Sequence, residues 1–293
     1  MIHPNQDELI LTQFEEALNQ AALSSSTIVN YLADLRAFLR WGQRRLTGSF
    51  SLQHVTPEHI RLYREYLVEE LKRATSTTNR HLMSLRKFFS FAEEIRFITQ
   101  DPAVGVSLVT DTDRAKGRTL SEEESHKLLA AAQNGSRAGL IRRDAAILKL
   151  LLYTGLRVGE IVDLQKQDLV FDDPGVHLRV CSHHDKSQTR QLPLPSNVCR
   201  ALNDYLQVRP QTSTTDSFFL SQEGRPISSR TVQRIISDCA RSVGLKGISA
   251  QTLRRTFATT LLAKTGDVAL VSKRLGHQSQ SITEQYLAVC EHQ

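Results

Sequence analysis

The chain has 293 residues, of which 40% are hydrophobic and 23% charged, with a formal net charge of +6; that length suits two globular domains. No apolar run reaches the ~18 residues that a membrane span needs, and residues 1–10 lack the basic-then-apolar pattern of a secretory signal, so a cytoplasmic protein with no membrane partner is expected. Cys181, Cys199, Cys239 and Cys290 form no C-x-x-C pair, which predicts free thiols and no zinc site.

The first third reads as helices alone. Leu9, Phe14, Leu18 and Leu23 mark a first helix, and the run Ser24-Ser25-Ser26 offers an N-cap for a second. In that second helix Ile28, Tyr31, Leu32, Leu35, Phe38 and Leu39 recur at i, i+3, i+4 spacing, Arg36, Arg40 and Arg44 share another face, and Gly42 is expected to fray the end. Thr56-Pro57-Glu58 starts a third helix with proline in its first turn. Thr75 to Thr78 starts a fourth, striped by Leu82, Leu85, Phe88 and Phe89. Four or five short helices make a bundle, which Asp101-Pro102 ends.

Residues 109–118, VTDTDRAKGR, are polar and aperiodic and read as a linker. Charge divides near the same place. Residues 1–110 hold 12 Lys+Arg and 12 Asp+Glu, whereas residues 111–293 hold 25 and 19. A polyanion partner for the second part fits that asymmetry.

Ser121 and Glu124 form a capping box at the next helix. A buried helix follows from about Arg143 to Tyr153. The stretch 168–194 reads as a small antiparallel sheet, in which Val176 to Val180 and Arg190 to Leu194 flank a polar turn, Ser182 to Thr189. Helices dominate again from Pro195, punctuated by Gly244, Gly247, Gly266 and Gly276.

Three segments carry chemistry-bearing residues. In Thr154-Gly155-Leu156-Arg157-Val158-Gly159-Glu160-Ile161 a buried helix stops and another starts, with Arg157 in its first turn and Glu160 on the same face. An arginine between two core segments is costly unless paired. In Gln251-Thr252-Leu253-Arg254-Arg255-Thr256-Phe257, Leu253, Phe257 and Leu261 form a buried stripe, and Gln251 and Arg254 share a neighbouring face. Last comes Leu275-Gly276-His277, with Tyr286 nine residues after the histidine and a Ser281/Glu284 capping box that predicts a short final helix. Taken singly, each segment also fits a plainer reading: a surface ion pair, a solvated basic face, a turn, a packed tyrosine.

In this order the pieces resemble the tyrosine recombinase, or phage-integrase, family: an arginine, a lysine in a β-turn, [His]-x-x-Arg, Leu-Gly-His, then tyrosine. The resemblance spans nearly the whole chain. It implies a mainly α fold of two domains: a SAM-like, core-binding helical bundle at 1–108, a linker at 109–118, and at 119–293 an α-rich catalytic domain with a small antiparallel sheet, the DNA breaking-rejoining fold. The implied function is site-specific recombination of double-stranded DNA by a cytoplasmic, nucleoid-associated protein. Tyr286 would form a 3′-phosphotyrosine, strand exchange would pass through a Holliday junction, and four protomers would assemble on paired sites, alone or with a second recombinase or accessory protein. Two alternatives share the fold: a catalytically weakened DNA-binding protein and a type IB-like topoisomerase.

The resemblance also assigns roles. Attack on a phosphodiester adds charge to its non-bridging oxygens, which fixed cations can stabilise without a metal. Arg157 and Arg254 would supply that charge in bidentate forks, with His277 as a further donor. Lys186, the lysine of the β-turn, would protonate the leaving 5′-oxygen, and Glu160 would orient its neighbours. Gln251 stands where the family usually has histidine; it can donate to phosphate but cannot carry a proton. The turn His183-His184-Asp185-Lys186 is longer than usual, and its histidine pair lacks further metal ligands. The chain has neither a G-x-x-x-x-G-K-[ST] loop nor an acidic two-metal cluster, and no cofactor is expected. Arg36, Arg40, Arg80, Arg86 and Lys87 on the bundle, with Arg114, Lys116 and Arg118 in the linker, are candidate DNA contacts.

Overall fold

The computed structural model describes residues 6–21, 23–46, 50–110, 117–134, 138–172, 175–181, 189–210, 215–277 and 283. The chain divides into two compact units, residues 1–112 and 113–293.

The first unit is a bundle of α1 (Gln6–Gln20), α2 (Ser25–Arg45), α3 (Pro57–Glu65) and α4 (Thr75–Glu94), with a π-helical turn at Tyr66–Glu70. Ser24 caps α2 by accepting the Thr27 N–H at 3.2 Å, and Thr56 caps α3 ahead of Pro57. Helix α2 packs against α4, and an aromatic centre joins the four helices: Phe14 of α1 packs edge-on to Phe88 of α4 at 5.3 Å and Phe38 of α2 to Tyr63 of α3 at 5.0 Å. Two expectations need correction. The inward stripe of α1 is Ile10, Leu11, Phe14 and Leu18; Leu9 is exposed because its spacing of five residues from Phe14 turns it off the buried face, and Leu23 is exposed beyond the helix, which ends at Gln20. Gly42 does not fray α2, which runs on to Arg45. The Phe50 ring occupies the place of a β-carbon there, so the glycine serves close packing. Past α4, Pro102, Ala103 and Val106 are buried in this unit. Arg86 donates to the Val106 carbonyl at 2.6 Å, and Asn79 and Val109 exchange two hydrogen bonds at 2.8 and 2.9 Å.

The second unit comprises α5 (Glu122–Ala131), α6 (Ala138–Thr154), α7 (Val158–Asp163), β1 (Leu169–Asp172), β2 (Gly175–Cys181), β3 (Thr189–Pro193), α8 (Ser196–Val208), α9 (Ser229–Ser242), α10 (Ala250–Thr265) and α11 (Val268–Leu275). The Ser121–Glu124 capping box is present, with reciprocal bonds of 3.1 Å. Helix α6 is the spine: Ala146, Ile147, Leu150 and Leu151 are fully buried, and α8 and α10 pack against it. The antiparallel sheet expected over 168–194 has the order β1-β2-β3, with β1 added to the two strands named from the sequence. Val180 pairs with Arg190 and Leu178 with Leu192. Leu178, Val180 and Leu192 face the helical core. Among the described residues no helix is long and apolar enough to cross a membrane, and no cluster of three or more His, Cys, Asp or Glu could hold a metal ion. Cys181, Cys199 and Cys239 are free thiols; Cys290 lies outside the described residues.

Candidate active site

The site begins where α6 ends. Gly155 closes that helix at φ +65°, and a β-carbon there would lie 2.5 Å from Phe257 and 2.7 Å from Leu275. Only glycine lets α6 stop against both α10 and α11 in this conformation. The Gly155 carbonyl accepts a bond from Arg254 Nη1 at 2.6 Å.

Two residues on, Arg157 is the N-cap of α7, and Glu160 stands at its third position. The Glu160 carboxylate accepts the Arg157 backbone N–H at 2.7 Å and its guanidinium at 3.3 Å. The same guanidinium reaches the last turn of α11, donating to the Leu275 carbonyl at 3.4 Å and the Gly276 carbonyl at 3.3 Å. Arg254, only 4% exposed, donates to that same Leu275 oxygen at 2.8 Å. Terminal carbonyls of a helix are short of donors and carry partial negative charge, so the end of α11 gathers guanidiniums that are remote in sequence.

His277 follows directly. Its Nδ1 lies 2.7 Å from the Thr283 hydroxyl. Burial and the charges of Arg254, Arg157 and Arg190 push the imidazole down to about 4, so the ring is neutral at pH 7. Burial alone would raise the Glu160 carboxyl. The bonds and charge of Arg190, with the Arg157 N–H and guanidinium, outweigh it and hold Glu160 below the usual carboxylate range.

Of the residues singled out in the sequence, Arg157, Glu160, Arg254 and His277 are brought together. Gln251 is exposed in the first turn of α10, three residues before Arg254. Lys186, Tyr286, His183, His184 and the Ser281/Glu284 pair lie outside the described residues, as do Arg114 and Lys116. One member was missed. Arg190 donates to both Glu160 oxygens, at 2.8 and 3.0 Å. Its signal was available: on β3 it alternates in phase with Leu192, on the core side, where a guanidinium requires a carboxylate.

The candidate DNA contacts separate into two groups. Arg36, Arg40 and Lys87 are exposed, and Arg40 lines a hollow of about 220 Å³ with Trp41, Arg44, Tyr63, Tyr66 and Arg73. Arg80, Arg86 and Arg118 are engaged internally. Arg80 pairs with buried Asp34 at 2.5 Å. Arg86 binds Val106, as above, and Arg118 donates to the Lys246 carbonyl and pairs with Glu124 at 2.6 Å.

Comparison with known proteins bears on this geometry. A family model described as the phage integrase family matches residues 118–292, and one described as the phage integrase N-terminal SAM-like domain matches residues 11–94. Tyrosine recombinase XerC of Thermodesulfovibrio yellowstonii is 31% identical over 278 residues, covering 91% of this chain and 86% of the relative. Tyrosine recombinase XerC of Staphylococcus carnosus is 33% identical over 279 residues, covering 92% and 88%. Among solved structures, the XerH site-specific recombinase bound to a palindromic difH substrate in a post-cleavage complex matches at TM-score 0.80 and 20% identity, covering 96% of this chain and 82% of that one. A lambda integrase (75–356) dimer bound to a COC′ core site matches at TM-score 0.74 and 20% identity, covering 95% and 94%. At such identity the structures speak for the fold.

Proposed function

The chain belongs to the phage integrase family of site-specific tyrosine recombinases, and on that premise we propose that it cuts and rejoins DNA through a 3′-phosphotyrosine on Tyr286. In this reading residues 1–108 are the core-binding domain, 109–118 the linker and 119–293 the catalytic domain; the family-model matches at 11–94 and 118–292 support that division.

The phenol oxygen of Tyr286 attacks phosphorus as its proton passes to His277 or to water, the P–O5′ bond breaks, and the 5′-oxygen leaves with a proton from Lys186. Arg157 and Arg254 meet the charge that builds on the non-bridging oxygens. Gln251 donates a further hydrogen bond to the phosphate. A free phenol has a pKa near 10, so the guanidiniums also favour phenolate as it forms. Neutral His277, with Nδ1 taken by Thr283, meets phosphate or phenol through Nε2. Bond energy is kept in the phosphotyrosine, and the reverse attack by a 5′-hydroxyl rejoins the strand. Strand exchange then passes through a Holliday junction on a tetramer formed at paired sites in double-stranded DNA. The observation that carries this reading is the convergence of Arg157 and Arg254 on one carbonyl beside His277.

A duplex nicked close to the scissile phosphate tests it, because the short leaving strand diffuses away and traps the adduct. The expected result is a covalent protein–DNA species that Tyr286→Phe abolishes while duplex binding persists. Crossover products between two duplexes distinguish recombination from simple relaxation. An adduct that survives Tyr286→Phe overturns the assignment.

A further inference from the structure

Arg190 enters none of the roles above, yet all three nitrogens of its guanidinium are bonded within the site. On β3 it lies opposite buried Val180, and its side chain is 15% exposed. Two nitrogens grip the Glu160 carboxylate, and Nε donates to the Arg274 carbonyl at 3.1 Å. Glu160 is itself 1% exposed and holds the N-cap of α7 through the Arg157 N–H. One guanidinium therefore ties the sheet both to the residue pair that opens α7 and to the last turn of α11, whose next residues are Gly276 and His277.

The slot for this guanidinium is built into the backbone. Gly276 has φ +64°, and a β-carbon there would lie 2.8 Å from Arg190 Nη1 and 3.0 Å from Cζ. The glycine before His277 thus gives room to Arg190 as well as turning the chain.

Chain connectivity supplies the last step. Lys186 precedes Arg190 by four residues, in the segment joining β2 to β3. Among the described residues the strand bearing Arg190 has a ladder partner on one side, β2. Proton transfer requires heavy atoms within about 2.6–3.2 Å, and a misplacement of about 1 Å can cost on the order of 10²-fold in rate. We propose that Arg190 is a positioning residue for strand cleavage: by clamping β3 to Glu160 and to the end of α11, it fixes the strand that follows Lys186 in sequence against the elements bearing Arg157 and His277. This rests on the reading of Lys186 as the proton donor to the leaving oxygen.

The test compares an ordinary nicked duplex with one whose bridging 5′-oxygen is replaced by sulfur. In both, the Tyr286 oxygen bonds to phosphorus. In the first, O5′ departs with a proton from Lys186; in the second, the P–S bond breaks and the thiolate departs unprotonated, since a thiol is far more acidic than an alcohol. Lys186→Ala is expected to be slow on oxygen and restored on sulfur. Arg190→Gln is expected to follow it, slowed on the order of 10²-fold on oxygen and near the wild-type rate on sulfur. Arg190→Lys, which keeps the charge against Glu160 but loses the fork, shows a smaller loss on oxygen and the same recovery. It carries the test if Arg190→Gln unfolds. Arg190 variants slow on both substrates beside a rescued Lys186→Ala, or at full rate on oxygen, overturn the clamping role alone. A Lys186→Ala that sulfur does not rescue removes the acid, and the proposal falls with it.

Discussion

Arg157 and Arg254, from two different helical segments, donate to one and the same oxygen, the carbonyl of Leu275. A forked cation can hold such an oxygen and still present a second nitrogen; an ammonium is a point charge. Arg254→Lys cannot span the Gly155 and Leu275 carbonyls together. It is expected to slow adduct formation by on the order of 10²–10³-fold and to lower unfolding stability by about 1–3 kcal/mol, because its carbonyl partners are buried. Arg157→Lys, whose side chain is 43% exposed, should show a similar catalytic loss with a smaller stability change. Adduct time courses and denaturant melts of the two variants separate these effects.

The acid side of the stability profile should carry the signature of His277. Its folded value is depressed to about 4 from an ordinary 6.5. Below about 6.5 the unfolded chain takes up this proton and the folded chain does not, so the stabilisation is complete above that pH and drains away as pH falls toward 4. His277→Gln should flatten that part of the curve. Titration of the His277 ring protons by NMR in the DNA-free protein should show a midpoint well below 6; a midpoint near 6.5 contradicts the packing described.

In the N-terminal unit, Asp34 is a 3% exposed carboxylate held by Arg80 at 2.5 Å, Ser84 at 2.8 Å and His81 at 3.4 Å. Removing one partner leaves a buried charge short of donors. Arg80→Ala is therefore expected to destabilise this unit by about 1–3 kcal/mol, while leaving the salt dependence of DNA binding nearly unchanged. If the variant keeps full stability and loses about one unit of the salt slope, Arg80 is a phosphate contact instead.

The N-terminal bundle was legible in its stripes and caps because both are local. Ser24 and Thr56 cap their helices as their sequence contexts indicate, and so does Ser121 in the second unit. Errors arose where tertiary packing overrides local rules: Gly42 continues a helix because Phe50 covers it, and Leu9 lies off the stripe by one residue. Within the site, Arg157 with Glu160 is a short-range pair readable at i, i+3. That Arg254 meets Arg157 at the end of α11 is a long-range fact that no local pattern encodes. The inward place of Arg190 was readable from its alternation with Leu192, but its partner, a carboxylate thirty residues earlier in the chain, was not.

Gln251 offers the sharpest test of how the phosphate is held. It is exposed in the first turn of α10, one turn before Arg254. An amide there can donate one hydrogen bond to a phosphate oxygen but takes no part in proton transfer. If protons are carried by Lys186 and His277, a histidine at 251 supplies the same donor and nothing in the site must move, since the side chain is not packed into the core. Gln251→His is then expected to form the covalent adduct at the wild-type rate or faster, whereas Gln251→Ala, which removes the donor, should lose on the order of tenfold. Rates measured on the nicked duplex decide it: a Gln251→His enzyme that no longer cleaves would mean that the side chain at 251 does not face the phosphate.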